Sequence, residues 1–173
     1  QSMTTAMVQT AREETPDIGI EGWTSHNGPA AIQGEQDGKA AVAPLLELVR
    51  KATEKDARAI IIGCFDDTGL DEAKAIANCP VIGIGQAAYH FAALRGGRFS
   101  VVTTLAVSTP ILRRNIDAYG LSDQCAQVRA SGVEVLALEQ MPEQANAAVL
   151  DEVKKAEAED NIASIVLGCA GMV

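Results

Sequence analysis

The sequence predicts an α/β protein of two pseudo-symmetric lobes, each a parallel sheet flanked by helices, with an active-site cleft between them. Two observations carry this expectation. Short apolar runs rich in β-branched residues alternate with longer stretches of helical spacing, the pattern of strands buried on both faces. One unit also recurs: RAIIIGC (58–64) and ASIVLGC (163–169) are in register, each an apolar strand closing on Gly-Cys after helix, strand and helix. The lobes are residues 1–97 and 98–173.

Residues 2–14 carry Met3, Ala6 and Met7 at helical spacing, and 36–55 carry Ala41, Val42, Leu45, Leu46, Leu48 and Val49. Strands are expected at 18–23, 58–65 and 80–85, and short helices at 71–77 and 86–94. In the second lobe RFSVVTT (98–104) reads as a strand. STPILRRNIDAYG (108–120) opens on a Ser-Thr-Pro helix start and ends in Gly. VEVLALE (133–139) reads as a strand, 141–160 as a helix and 163–170 as a strand. The halves do not match fully. The second begins with a strand that the first lacks, and the first continues past its cysteine into a helix and strand. A strand before residue 1 and a helix and strand after 173 are therefore expected in the native protein.

A chain of 173 residues, 47% hydrophobic and 21% charged, can bury a sizeable core. Its net charge of −9, with no basic stripe, argues against nucleic acid as a partner. No apolar run reaches the roughly 18 residues of a membrane span, and no secretion signal opens the chain. Four cysteines without a CxxC pair argue against a zinc knuckle or thioredoxin-type site. They read as free thiols of a reducing cytoplasm, the expected location. His26 is expected in solvent and His90 packed in its helix; neither joins a ligand set, so no metal is expected. GIGQAA (83–88) mimics a dinucleotide fingerprint, but the acid expected roughly 20 residues on is absent. No cofactor is expected. EVKKAEAEDN (152–161) reads as a solvated helix face.

In open α/β sheets, ligands bind beyond the carboxyl ends of the strands. Cys64 and Cys169 sit there, each expected just ahead of a helix whose N–H groups and dipole would favour a thiolate. Gly63 and Gly168 allow a tight turn or a close approach. A lone Gly-Cys strand end is a small buried hydrophobe; a matched pair in duplicated contexts points to chemistry. Two thiols facing one cleft suit removal of a proton from one face of a carbon and delivery to the other, with roles exchanged for the opposite enantiomer. Cys79, before Pro80, and Cys125, in a connecting stretch, read as structural. The backbone N–H groups of Phe65, Asp66, Ala170 and Gly171, at two expected helix starts, are candidates to hold carbonyl or enolate oxygens, with ordinary capping as the alternative. Thr103, Thr104 and Ser108 are candidates to hydrogen-bond a ring, although Ser108 also reads as an N-cap. Asp67 and Thr68 read as caps of the helix near Asp71.

These residues carry a resemblance. Cys64-Phe65-Asp66-Asp67-Thr68-Gly69-Leu70, followed by an Asp-Glu-Ala helix, resembles the first cysteine motif of hydantoin and allantoin racemases. Gly168-Cys169-Ala170-Gly171-Met172 is similar to their second motif, and GPAAIQGEQD (28–37) with the helix after it resembles the same group. The resemblance to the aspartate/glutamate/hydantoin racemase superfamily covers essentially the whole chain. It implies cofactor-independent racemisation of 5-monosubstituted hydantoins, with Cys64 and Cys169 as the two bases and a hydantoin-like ring as the small-molecule partner. It also implies a homo-oligomer.

Glutamate racemases resemble Cys-Asn-Thr and Cys-Thr-His where this chain has Cys64-Phe65-Asp66 and Cys169-Ala170-Gly171, which disfavours an amino acid. A hydantoin ring carbon is more acidic, because the adjacent carbonyl delocalises the carbanion as an enolate, so two thiols and an oxyanion site suffice. Arylmalonate decarboxylases keep only the second cysteine. Hydantoin racemases usually show Cys-Phe-Gly-Asp-Pro-Gly; Asp66 and Thr68 replace that Gly and Pro here. Allantoin or another Asp/Glu-type substrate therefore stays open. So does a non-catalytic two-lobe binding protein, which has no need of thiolates.

Overall fold

The structure, a computed structural model, describes residues 2–172. It is α/β, with parallel sheets flanked by helices. The first sheet pairs β1 (Ile60–Ile62) with β2 (Val81–Gly83) in parallel. The second has β3 (Phe99–Thr103) at its centre between β4 (Cys125–Ala130) and β5 (Ser164–Leu167), all parallel. Helices α1 (Ser2–Glu14) and α2 (Glu35–Glu54) precede β1. After it come α3 (Leu70–Ile76), α4 (Ile84–Leu94), α5 (Thr109–Ala118), α6 (Ala137–Gln140) and α7 (Pro142–Glu159).

Burial follows the apolar periodicity. Val49, half-buried Leu45 and Leu46 of α2 pack on Ile62, Leu70 and Val81 around the first sheet. Every residue of β3 is buried, as a central strand covered on both faces requires. On one side of it Val102 meets Val149 and Ala156 of α7. On the other, Phe99 and Val101 meet Leu112 and Ile116 of α5, together with Tyr89 of α4 and Phe65 from the turn after β1.

Several expectations are corrected. Residues 18–23 form no strand: they lie in an irregular stretch with Ile18 exposed, and no strand among the described residues pairs with them. The strand expected at 133–139 is instead β4 at 125–130, while Val133 and Leu138 reach the core from a turn and α6. Cys125 accordingly opens a strand rather than sitting in a connection. A 3-10 turn at 106–108 leads into α5, and Ser108 is buried there without making a capping bond. In α4 it is Tyr89 that packs, fully buried, whereas His90 is exposed with Nδ1 at 2.8 Å from the Gln86 carbonyl. The charged end of α7 is only partly solvated. Glu152, Glu159 and Asp160 converge on Arg129 of β4, and Ser100 Oγ donates to Asp160 at 2.6 Å. That network holds the Arg129 guanidinium charged and Asp160 below the usual carboxylate range.

Candidate active site

Cys64 follows β1 in a tight turn, not at a helix start. Asp67 N donates to the Cys64 carbonyl at 3.1 Å, and Leu70 N to the Asp67 carbonyl at 3.1 Å. The backbone then needs the left-handed region twice, at Asp67 (φ 50°) and Gly69 (φ 72°). A non-glycine residue pays a penalty there, and three hydrogen bonds hold Asp67 in place. Its buried carboxylate accepts from Gly85 N at 3.1 Å, Gln86 N at 2.7 Å and Tyr119 Oη at 2.8 Å. Asp67 therefore caps α4 across the fold, not α3 beside it. A Cβ on Gly83 would collide with this carboxylate, and one on Gly85 with the Phe65 carbonyl. The glycines of GIGQAA thus leave room for the Cys64 turn, which accounts for them without a nucleotide.

Two more contacts fix this turn. Asn115 Nδ2 on α5 donates to the Asp66 carbonyl at 2.8 Å. The Phe65 ring is buried against Tyr89, edge to face at 5.4 Å. Thr68 is not a cap either: the Cys64 Sγ donates to its Oγ1 at 3.6 Å.

The Cys169 turn grows from β5. Gly168 N donates to the Val102 carbonyl at 2.8 Å, and the Thr103 hydroxyl to the Gly168 carbonyl at 3.0 Å. Thr103 is thereby committed to holding this turn rather than a ring. Thr104 is buried beside it, its carbonyl accepting from Gly132 N at 2.9 Å. Met172 N closes the turn onto the Cys169 carbonyl at 3.0 Å. Phe65, Asp66, Ala170 and Gly171 thus lie in turns. Helix α3 starts only at Leu70, and no helix follows Cys169 among the described residues.

Burial dominates the thiol chemistry at both sulfurs. It pushes Cys64 up to about 11; the Asp66 carboxyl adds to the rise, and the Thr68 hydroxyl with the amides of Asp66 and Thr68 opposes it. Burial also raises Cys169, the Gly171 amide opposes, and Asp66 again adds. At Cys64, which is followed by a turn and not by a helix start, the expected resting thiolate is corrected to a thiol. The amides of Asp66 and Gly171, among the candidates for oxygen binding, also favour the ionised sulfur of Cys64 and of Cys169 respectively. The Asp66 carboxyl is itself raised to about 6, by burial and then by Asp67. One carboxyl acting on both sulfurs means that the two turns converge.

Helix α1 shows the same convergence. Met7 lies against Gly63 and Met3 against Gly171, each about 3 Å from where a Cβ would stand. The Asp66 side chain, Asn115, Tyr119 and the two methionines were not legible as site residues, since only the fold brings them to the cysteines. The doubled acid after Cys64-Phe65 was the available signal. Among the described residues no His/Cys/Asp/Glu group is arranged to hold a metal, and no helix is long and apolar enough to cross a membrane.

The Asp/Glu/hydantoin racemase family model matches residues 1–173. The chain is 44% identical to a hydantoin racemase of Rhizobium meliloti over 83% of its own length and 60% of that protein's. It is 33% identical to a hydantoin racemase of Pseudomonas sp. (strain NS671) over 94% of its length and 64% of the relative's. It thus spans less than two thirds of either. The fold superposes on an allantoin racemase from Klebsiella pneumoniae with a TM-score of 0.95 and 36% identity, covering 98% of this chain and 70% of that one. With its two Gly-Cys turns brought together, this chain belongs to the Asp/Glu/hydantoin racemase family.

Proposed function

We propose that the protein racemises 5-monosubstituted hydantoins without a cofactor, using Cys64 and Cys169 as its two acid–base groups. The observation that carries this is a pair of half-buried thiols, each just past the carboxyl end of a parallel strand, in turns that one face of α1 touches together. One sulfur, as thiolate, takes the ring-carbon proton; the other, as thiol, protonates the opposite face. Charge passes meanwhile to the ring carbonyl oxygen as an enolate, for which the Phe65 and Ala170 amides and Thr104 are the candidate donors. Two-base chemistry needs one thiolate and one thiol together. The shared Asp66 charge opposes ionisation of both sulfurs at once. On this reading the amides at Cys64 and Cys169 steady whichever sulfur is ionised.

Allantoin is the second reading. It is supported by the fit to the Klebsiella pneumoniae allantoin racemase.

The test follows a single-enantiomer 5-substituted hydantoin in heavy water by optical rotation and proton NMR, with no cofactor added. Decay of rotation to zero with deuterium entering the ring carbon is expected, and Cys64→Ala or Cys169→Ala should each abolish it. Full turnover in both variants would remove the two-thiol mechanism. Inertness towards hydantoin, allantoin, amino acids and malonate-type acids alike would leave the binding protein.

A further inference from the structure

Helix α1 touches the two cysteine turns with one face. Met7 Cε and Sδ stand 2.9 and 3.0 Å from the position of a Cβ on Gly63, the residue before Cys64. Met3 Cε stands 3.1 Å from that of Gly171, two residues after Cys169, where Leu138 Cδ1 closes in at 3.0 Å. Residues four apart lie on the same side of a helix, so one methionine attends each turn. Both are half-buried. The glycines leave space that the thioethers fill.

Inversion of a ring carbon makes a particular demand on its surroundings. As the proton leaves one face and returns to the other, the substituent swings through the plane of the ring. Its wall must therefore fit two positions, one displaced towards each sulfur. Methionine is unbranched, with three rotatable bonds and a polarizable thioether that reshapes to fill irregular space, whereas leucine, of similar volume, is branched at Cγ and has fewer rotamers to draw on. Taking the racemase reading as the basis, we propose that Met3 and Met7 form the apolar wall against which the ring-carbon substituent rests. They are then specificity-determining residues for rings with an apolar substituent.

The test compares kcat/KM for 5-benzylhydantoin and 5-methylhydantoin in the wild type, Met7→Ala, Met3→Ala and Met7→Leu. Removing part of an apolar wall changes discrimination by roughly tenfold or more. Each alanine variant should raise the benzyl-to-methyl ratio by about that factor. Met7→Leu, of similar volume but branched, should lower turnover of the benzyl substrate and spare the methyl one. Should an alanine variant fail to fold, Met7→Leu still decides. Equal losses on both substrates in every folded variant would overturn the wall and reduce the methionines to packing. A wild type that racemises neither substrate would instead overturn the hydantoin racemase reading, and the wall with it.

Discussion

Replacing Asp66 with Asn separates the burden this carboxyl places on the fold from its action on the thiols. Its side chain is largely buried, and Oδ2 has no hydrogen-bond partner. Burial and the Asp67 charge raise it from the ordinary 3.8 to about 6. At ~1.4 kcal/mol per pH unit this corresponds to about 3 kcal/mol of instability in the ionised protein. The sign follows from the direction of the shift. A carboxyl raised on folding favours the folded state while protonated, so the penalty is absent below about pH 4, grows towards pH 6 and is then constant. Roughly half of it is present at pH 5 by the same relation.

Asp66→Asn carries no charge at any of these pH values. Its advantage over the wild type in urea unfolding should therefore widen by about 1.5 kcal/mol between pH 5 and pH 8. The lost charge also acts on both sulfurs, so iodoacetamide should alkylate Cys64 and Cys169 faster in the variant at pH 8, as peptide mapping would show. A stability difference independent of pH, or acceleration at only one cysteine, would refute the shared carboxyl.

Three other outcomes follow from the same contacts. In the wild type, Cys64 alkylation should be slow at pH 7 and rise about tenfold per pH unit towards pH 11, as a thiol raised to about 11 requires; a plateau near pH 8 would contradict its burial. Tyr119→Phe removes one hydrogen bond to Asp67 and should lower stability by about 1 kcal/mol in urea, altering alkylation of Cys64 while leaving Cys169 unchanged. Gly168→Ala places a Cβ at 3.1 Å from both Thr103 Cβ and Val101 Cγ1, inside a packed strand. A loss of about 1–3 kcal/mol, read as a lower Tm, is expected.

The strands were legible because their apolar runs are continuous: β1, β2, β3 and β5 all stand where the sequence puts them, although only β3 has the expected burial on both faces, since Ile61, Ile82 and Leu167 are exposed. β4 was hidden for a physical reason. It lies at a sheet edge and carries Gln127 and Arg129, whose polarity answers to Arg113 and the α7 carboxylates rather than to a core. The run at 18–23 misled in the opposite way, since apolar residues make a strand only where another strand supplies hydrogen bonds. Both cysteines could be placed at strand ends from the sequence. Their ionisation could not, because it depends on burial and on Asp66. The residues steadying the Cys64 turn come from α5 and the residue that ends it, 49 and 52 positions away from the acids they touch, a distance no local pattern spans.

Phe65 gives the Cys64 turn a further property. The residue next to the first thiol has its ring in the same apolar cluster as Phe99 and Val101, which belong to the sheet that carries Cys169. Close-packed interiors have low compressibility. The separation of the two sulfurs is therefore gauged by a solid interior rather than by a loop, with little give across it. In the proposed two-thiol mechanism, where the sulfurs address opposite faces of one carbon, that interior works as a fixed caliper. A volume change at Tyr89 or Leu112, remote from both sulfurs in sequence, would reset its opening.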